Sequence, residues 1–82
     1  MKPLNTLKNV LTRAGYTPEA VALYGRTPEA APVNAYFVRF AWDGLYIPAP
    51  VWNRIDEVRR IASRAGYRSE VRNGSGTVVI YL

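Results

Sequence analysis

The sequence predicts an α+β two-layer sandwich, an antiparallel four- to five-stranded sheet with two helices packed on one face, in the order α-(β)-ββ-α-ββ. Two segments repeat apolar residues with the 3.6-residue period of a helix, and two others alternate with the period of a strand around turn residues. A chain of 82 residues is long enough to build one thin core. We therefore expect residues 1–82 to form a single domain.

Both helices are predicted from apolar stripes that end just before a glycine, the residue most at ease in the left-handed conformation of a helix C-terminus. The stripes comprise Leu4, Leu7, Val10, Leu11 and Ala14 in the first helix, and Ile55, Val58, Ile61, Ala62 and Ala65 in the second. Their ends, Arg13-Ala14-Gly15-Tyr16 and Arg64-Ala65-Gly66-Tyr67, match at one constant offset. An internal duplication explains this match, and so does independent use of the same cap.

Two hairpins are predicted from alternating segments that flank turn residues. The first joins 36–42 to 45–47 through Asp43-Gly44, a dipeptide typical of a type I′ turn, and it places Trp42 opposite Leu45. Pro48 ends this hairpin and leads into the second helix. The second hairpin joins 67–72 to 77–82 through a turn at 73–76.

Two structures are compatible with residues 17–24. Thr17 and Pro18 have the chemistry of a helix start, which would make 4–24 a helix–turn–helix. That helix would present Glu19 and Val21 where a DNA-reading helix needs side chains that reach base edges. We favour a strand here, followed by a surface loop over 25–33.

The helical stripes and the strand alternation together predict the core. Its members are apolar side chains that face the boundary between helices and sheet. They are Leu7, Val10, Leu11, Val38, Phe40, Trp42, Ile47, Ile55, Val58, Ile61, Val71, Val78 and Ile80.

Composition excludes much of catalytic chemistry. The chain has no cysteine and no histidine, so it lacks thiolate nucleophiles and the commonest general base and metal ligand at neutral pH. Its six acidic residues are scattered, and the one adjacent pair, Asp56 and Glu57, diverges on a helix surface. We therefore expect no enzyme activity, no cofactor and no metal.

The charge balance indicates a polyanionic partner. The formal net charge is +5, and nine of the eleven cationic residues are arginine, which suits phosphate and carboxylate. On the second helix Arg60 and Arg64 stand one turn apart. We expect Asp56 to pair with Arg60, and Glu57 to pair either with Arg60 or with Arg54. No apolar run is long enough to span a membrane, so we expect a cytoplasmic protein without membrane contact.

The sheet face turned away from the helices is the leading candidate surface. Strand alternation places arginines and aromatic rings on it, the composition of a platform for single-stranded nucleic acid. The sequence therefore predicts a non-catalytic module that binds nucleic acid or a nucleoprotein complex. The predicted binding residues are Phe37, Arg39, Tyr46, Arg60, Arg64, Arg68, Arg72 and Tyr81.

The same exposed rings are also compatible with a protein partner. One form of this alternative is a module that docks on an acidic protein surface, such as an inhibitor of a larger host machine encoded by a phage or mobile element. Another form is self-association into a homodimer. Nothing in the residues decides between RNA, DNA and protein, so the alternatives stay open at this point.

Overall fold

The structure is a computed structural model that describes residues 4–23, 32–72 and 76–82. Its elements are α1 (Leu4–Arg13), β1 (Glu19–Leu23), β2 (Val33–Arg39), α2 (Ala49–Arg64), β3 (Arg68–Arg72) and β4 (Thr77–Tyr81). The four strands form one antiparallel sheet in the order β1-β2-β4-β3, with the helices packed against it. The predicted α+β two-layer fold is confirmed, and residues 19–23 form a strand rather than a helix.

The core lies between the helices and the inner faces of the two central strands, β2 and β4. Alternate residues of these strands, such as Val38 and Ile80, meet apolar side chains of both helices because the period of a strand sends every second side chain to one face. Seven predicted core residues are buried: Leu7, Leu11, Val38, Ile55, Val58, Val78 and Ile80. Four more are partly buried against them: Phe40, Ile47, Ile61 and Val71.

The core prediction was wrong for two residues, Val10 and Trp42. Val10 is 41% exposed, because the buried side of α1 is centred on Leu7 and Leu11. Trp42 lies beyond the end of β2 and is only partly buried. Tyr36 and Ala62 are also buried in the core, although the sequence did not predict them there.

The predicted hairpin across Asp43-Gly44 was wrong as well. β2 ends at Arg39, and residues 43–46 form a bend that leaves Leu45 92% exposed. The pairing of β2 with β4 ends at Arg39 opposite Thr77, so the chain leaves the sheet before the residues that the hairpin would have joined. Residues 40–48 instead carry the chain to the first turn of α2, which Pro48 precedes with an extended backbone.

The second predicted hairpin is confirmed in its strands, since β3 pairs with β4 from Arg68 opposite Tyr81 to Arg72 opposite Thr77. Residues 73–75 of its turn lie outside the described residues, and so do residues 24–31 of the predicted loop. The described end of the turn, Gly76, has a positive φ of 63°.

Both helices end in the same hydrogen-bonded cap. After α1 the amide of Tyr16 donates to the carbonyl of Leu11 at 3.0 Å, and after α2 the amide of Tyr67 donates to Ala62 at 2.9 Å. The intervening glycine has a positive φ in each case, 95° at Gly15 and 85° at Gly66. This pattern is a Schellman motif, and it turns the chain from each helix toward the sheet.

The strand pairing on one side of the sheet matches the pairing on the other side. Glu19 of β1 pairs with Phe37, Phe37 pairs with Val79, and Val79 pairs with Glu70 of β3. The two glutamates occupy matching positions after the two helices, so the pairing has an approximate two-fold symmetry about Phe37 and Val79. The repeat in the sequence thus corresponds to a repeated helix–strand–strand unit.

Substitution of Gly76 tests the packing just before the start of β4. A Cβ atom there would overlap the ring of Trp42 and come 3.0 Å from the carbonyl oxygen of Phe40. Gly44 is the matched control, because its φ is also positive, at 102°, but nothing lies within 4 Å of its added Cβ. Each alanine carries a backbone strain of about 1–2 kcal/mol, and overpacking adds about 1–3 kcal/mol at Gly76 alone.

We therefore expect Gly76→Ala to lower the free energy of unfolding in urea by about 2 kcal/mol more than Gly44→Ala does. Equal losses for the two variants would contradict the close contact between Gly76 and Trp42.

Candidate functional site

The outer face of the sheet, meaning the face turned away from the helices, carries most of the predicted binding residues. Strand register places Phe37 and Arg39 of β2 on it, together with Arg68, Arg72 and Tyr81. Tyr46 does not belong to it, because this residue lies in the bend over 43–46, where it is 86% exposed.

Aromatic rings on the outer face are covered by arginine side chains. The guanidinium carbon of Arg68 lies 5.3 Å from the ring centre of Tyr81, and that of Arg72 lies 5.2 Å from the ring centre of Phe37. Both separations are in the range of cation–π attraction. A base that stacked on either ring would first have to displace an arginine.

Two polar groups of this face, the guanidinium of Arg39 and the hydroxyl of Tyr81, each contact a carboxylate. Arg39 forms an ion pair with Glu19 at 3.5 Å, and the hydroxyl of Tyr81 donates to a carboxylate oxygen of Glu70. The hydrogen bond to Glu70 raises the pKa of Tyr81 above its ordinary value, and loss of solvent adds to the effect. Val79, at the centre of the face, is fully buried. The arginines and aromatic rings of the outer face therefore already contact one another or a carboxylate, and a ligand would have to displace these contacts to bind there.

A basic groove runs between α2 and β3, with a volume of about 690 Å³. Its helix side consists of residues three or four apart, which share one flank of α2, and its strand side lies at the free edge of β3. We call this the α2–β3 groove. It is lined by Asn53, Asp56, Arg59, Arg60, Ser63, Tyr67, Arg68 and Ser69.

The α2–β3 groove has an excess of positive charge. Arg59, Arg60 and Arg68 line it against one carboxylate, Asp56. Arg64 is exposed on the next turn of the helix after Arg60, outside the lining. The structure thus brings Arg60 and Arg68 of the predicted set together, and it adds Arg59, which was not among the predicted binding residues.

The expected ion pairs on α2 are not formed. In the part of the chain that the structure describes, neither Asp56 nor Glu57 makes an ion pair with an arginine of this helix. Glu57 lies on the other flank, where its carboxylate accepts a hydrogen bond of 2.8 Å from the hydroxyl of Tyr16. The arginines of the α2–β3 groove are therefore less neutralised than the sequence indicated.

A second hollow, of about 600 Å³, lies where the end of α1 meets the start of α2. Its charged residues are balanced, with Arg39 and Arg54 against Glu19 and Glu57. It has no excess of either charge to attract an anion. The α2–β3 groove is thus the better candidate for binding a polyanion.

The Tyr16–Glu57 contact joins the end of α1 to α2. Partial burial and the hydrogen bond to Glu57 raise the pKa of Tyr16 to about 12, and the nearby Arg54 opposes this rise. The contact links residues 41 positions apart, so no local sequence pattern could have revealed it.

Comparison of the chain with protein-family models, curated proteins and solved structures finds no match. Within residues 4–23, 32–72 and 76–82, no helix has the length and apolar character needed to cross a membrane. The same residues contain no group of three or more acidic side chains placed to hold a metal ion.

The pKa of Tyr16 predicts a pH-dependent contribution to stability. An unfolded tyrosine ionises near pH 10, so the contribution is complete below about pH 10 and is lost as the pH rises to about 12. We expect the difference in unfolding free energy between wild type and Tyr16→Phe to shift in favour of the variant across this window, as followed by urea unfolding. A difference that is constant from pH 8 to 12 would contradict the contact.

Proposed function

We propose that the protein is a non-catalytic module that binds single-stranded nucleic acid, with the sugar–phosphate backbone held in the α2–β3 groove. The observation that carries this proposal is the presence of Arg59, Arg60 and Arg68 in one groove against the single carboxylate of Asp56. Guanidinium groups match phosphate oxygens in charge and shape, and the net charge of +5 strengthens the attraction at long range.

The shape of the groove favours a single strand over a duplex. A helix that reads duplex DNA must project into a major groove about 12 Å wide. The basic flank of α2 instead faces the edge of β3, so a duplex could not enclose it. A single strand can lie along the groove, where Arg59, Arg60 and Arg68 are placed to contact its phosphates.

Arg68 connects the groove to the outer face. It lines the α2–β3 groove and also lies against the ring of Tyr81. A strand that leaves the groove past this residue would reach Tyr81, Arg72 and Phe37. In this proposal the outer face forms a secondary contact, which opens when its arginines turn from the rings to phosphates. We propose the cytoplasm as the compartment, because nucleic acid is abundant there.

A double variant of the groove tests the proposal. Arg59→Ala with Arg60→Ala removes two charges from the lining, whereas Arg13→Ala with Arg54→Ala removes two exposed charges from elsewhere on the helices. The measurement is the affinity for a short fluorescent single strand as a function of salt. For the groove variant we expect a loss of about tenfold in affinity and a salt slope smaller by about 1.4, at about 0.7 for each phosphate contact.

The control variant should stay close to wild type in both quantities, apart from the general effect of its lower net charge. Equal losses for the two variants would show that binding follows net charge and not the groove. Absence of measurable binding by the wild type at low salt would reject the function itself.

Protein binding is the second candidate, and the bend over 43–46 favours it. Leu45 and Tyr46 are adjacent there and are 92% and 86% exposed, an apolar tip that a protein partner would cover. A partner that the chain retains from a nuclease-treated lysate would favour this candidate. A partner lost after digestion would favour nucleic acid.

A further inference from the structure

Asp56 is an acidic residue in a groove that is otherwise suited to bind phosphate. A carboxylate repels phosphate, yet Asp56 lines the groove beside Arg59 and Arg60, three and four positions along the same helix. Among the described residues its carboxylate makes no hydrogen bond or ion pair, although both arginines are close in sequence. Its acceptor oxygens are therefore open to a ligand.

An ionised carboxylate only accepts hydrogen bonds, so the ligand that it suits must bring donors. Phosphate groups have none; a ribose offers a single donor, its 2′-hydroxyl, and a nucleobase supplies donors on its edge. Guanine has two adjacent donors, the ring N1–H and the exocyclic amine, which match the two oxygens of a carboxylate. No other common base presents two adjacent donors on its Watson–Crick edge.

Guanine also suits the neighbouring arginines. Its O6 and N7 atoms are acceptors, and a guanidinium group donates to both in the commonest specific contact between proteins and bases. One base can thus engage a carboxylate with one edge and an arginine with the other. Asp56 together with Arg59 or Arg60 offers this pair of groups on one flank of α2.

We infer that Asp56 is a specificity-determining residue that selects guanine in a strand bound along the α2–β3 groove. The inference rests on the proposed function, because it assigns a base preference to the same groove. In this arrangement the arginines hold the backbone and meet the acceptor edge of guanine. Asp56 rejects bases whose acceptors would face its oxygens, such as adenine with its N1 atom.

The experiment compares short oligouridine strands whose central base is guanine, inosine or adenine. Inosine keeps O6, N7 and the N1–H of guanine but lacks the exocyclic amine, so it isolates one donor. We expect the wild type to bind the guanine strand about tenfold more tightly than the adenine strand, with inosine between them. Asp56→Asn should bind all strands at least as tightly as wild type, because a negative charge is gone. It should also no longer distinguish guanine from inosine, because the arginines still read O6 and N7 but no carboxylate accepts from the exocyclic amine.

Glu57→Gln is the matched control. It removes the same charge at the next position, but Glu57 lies outside the groove and its replacement can still accept the hydrogen bond from Tyr16. Its preference for guanine should equal that of the wild type. Loss of preference in Glu57→Gln as well would overturn the assignment to Asp56.

Two further outcomes would overturn the inference and leave the proposed function intact. One is equal binding of the guanine and adenine strands by a wild type whose binding still depends on Arg59 and Arg60. The other is a preference for ribose over deoxyribose strands that ignores the base and disappears in Asp56→Asn, since the donor would then be the 2′-hydroxyl. No binding of any strand would reject the proposed function instead.

Discussion

The pairing of β2 with β4 is the constraint on which the rest of the structure depends. It sets Val38 beside Val78 and Tyr36 beside Ile80, and these four side chains form the inner face of the sheet, against which the helices pack. A chain of this size builds only one thin core, so both helices must pack against the same inner face of the sheet. The pairing also fixes the outer row, where Phe37 meets Val79 at the centre of the sheet.

The same pairing sends β3 to an edge of the sheet, and the candidate site follows from that position. Because α2 packs against β3 and β4, one flank of the helix lies alongside the free edge of β3 and leaves the groove between them. The charges at this edge have a structural effect as well. Arg68, Glu70 and Arg72 protect an open strand from pairing with another chain, whereas β1, at the opposite edge, carries only Glu19.

Local patterns predicted the parts of the fold that depend on local chemistry. The glycine caps and the β3–β4 hairpin came from short-range signals, and the structure contains them. The turn signal of Asp43-Gly44 is equally local, but β2 ends at Arg39 and the chain leaves the sheet before it reaches this dipeptide. The groove was found only in part, because a helical wheel shows which residues share a flank but not which strand will lie beside it. For this reason Arg60 was predicted, while Arg59 and the role of Asp56 were not.

The most direct test of the α2–β3 groove as the binding site is a map of NMR signals during titration with a single-stranded oligonucleotide. Binding in the groove predicts that the side-chain Nε–H signals of Arg59, Arg60 and Arg68 shift together with the amides of Ser63 and Ser69. Changes on the outer face around Phe37 should be smaller and appear later in the titration. Shifts confined to the bend over 43–46 or to β1, with the groove signals unmoved, would contradict it.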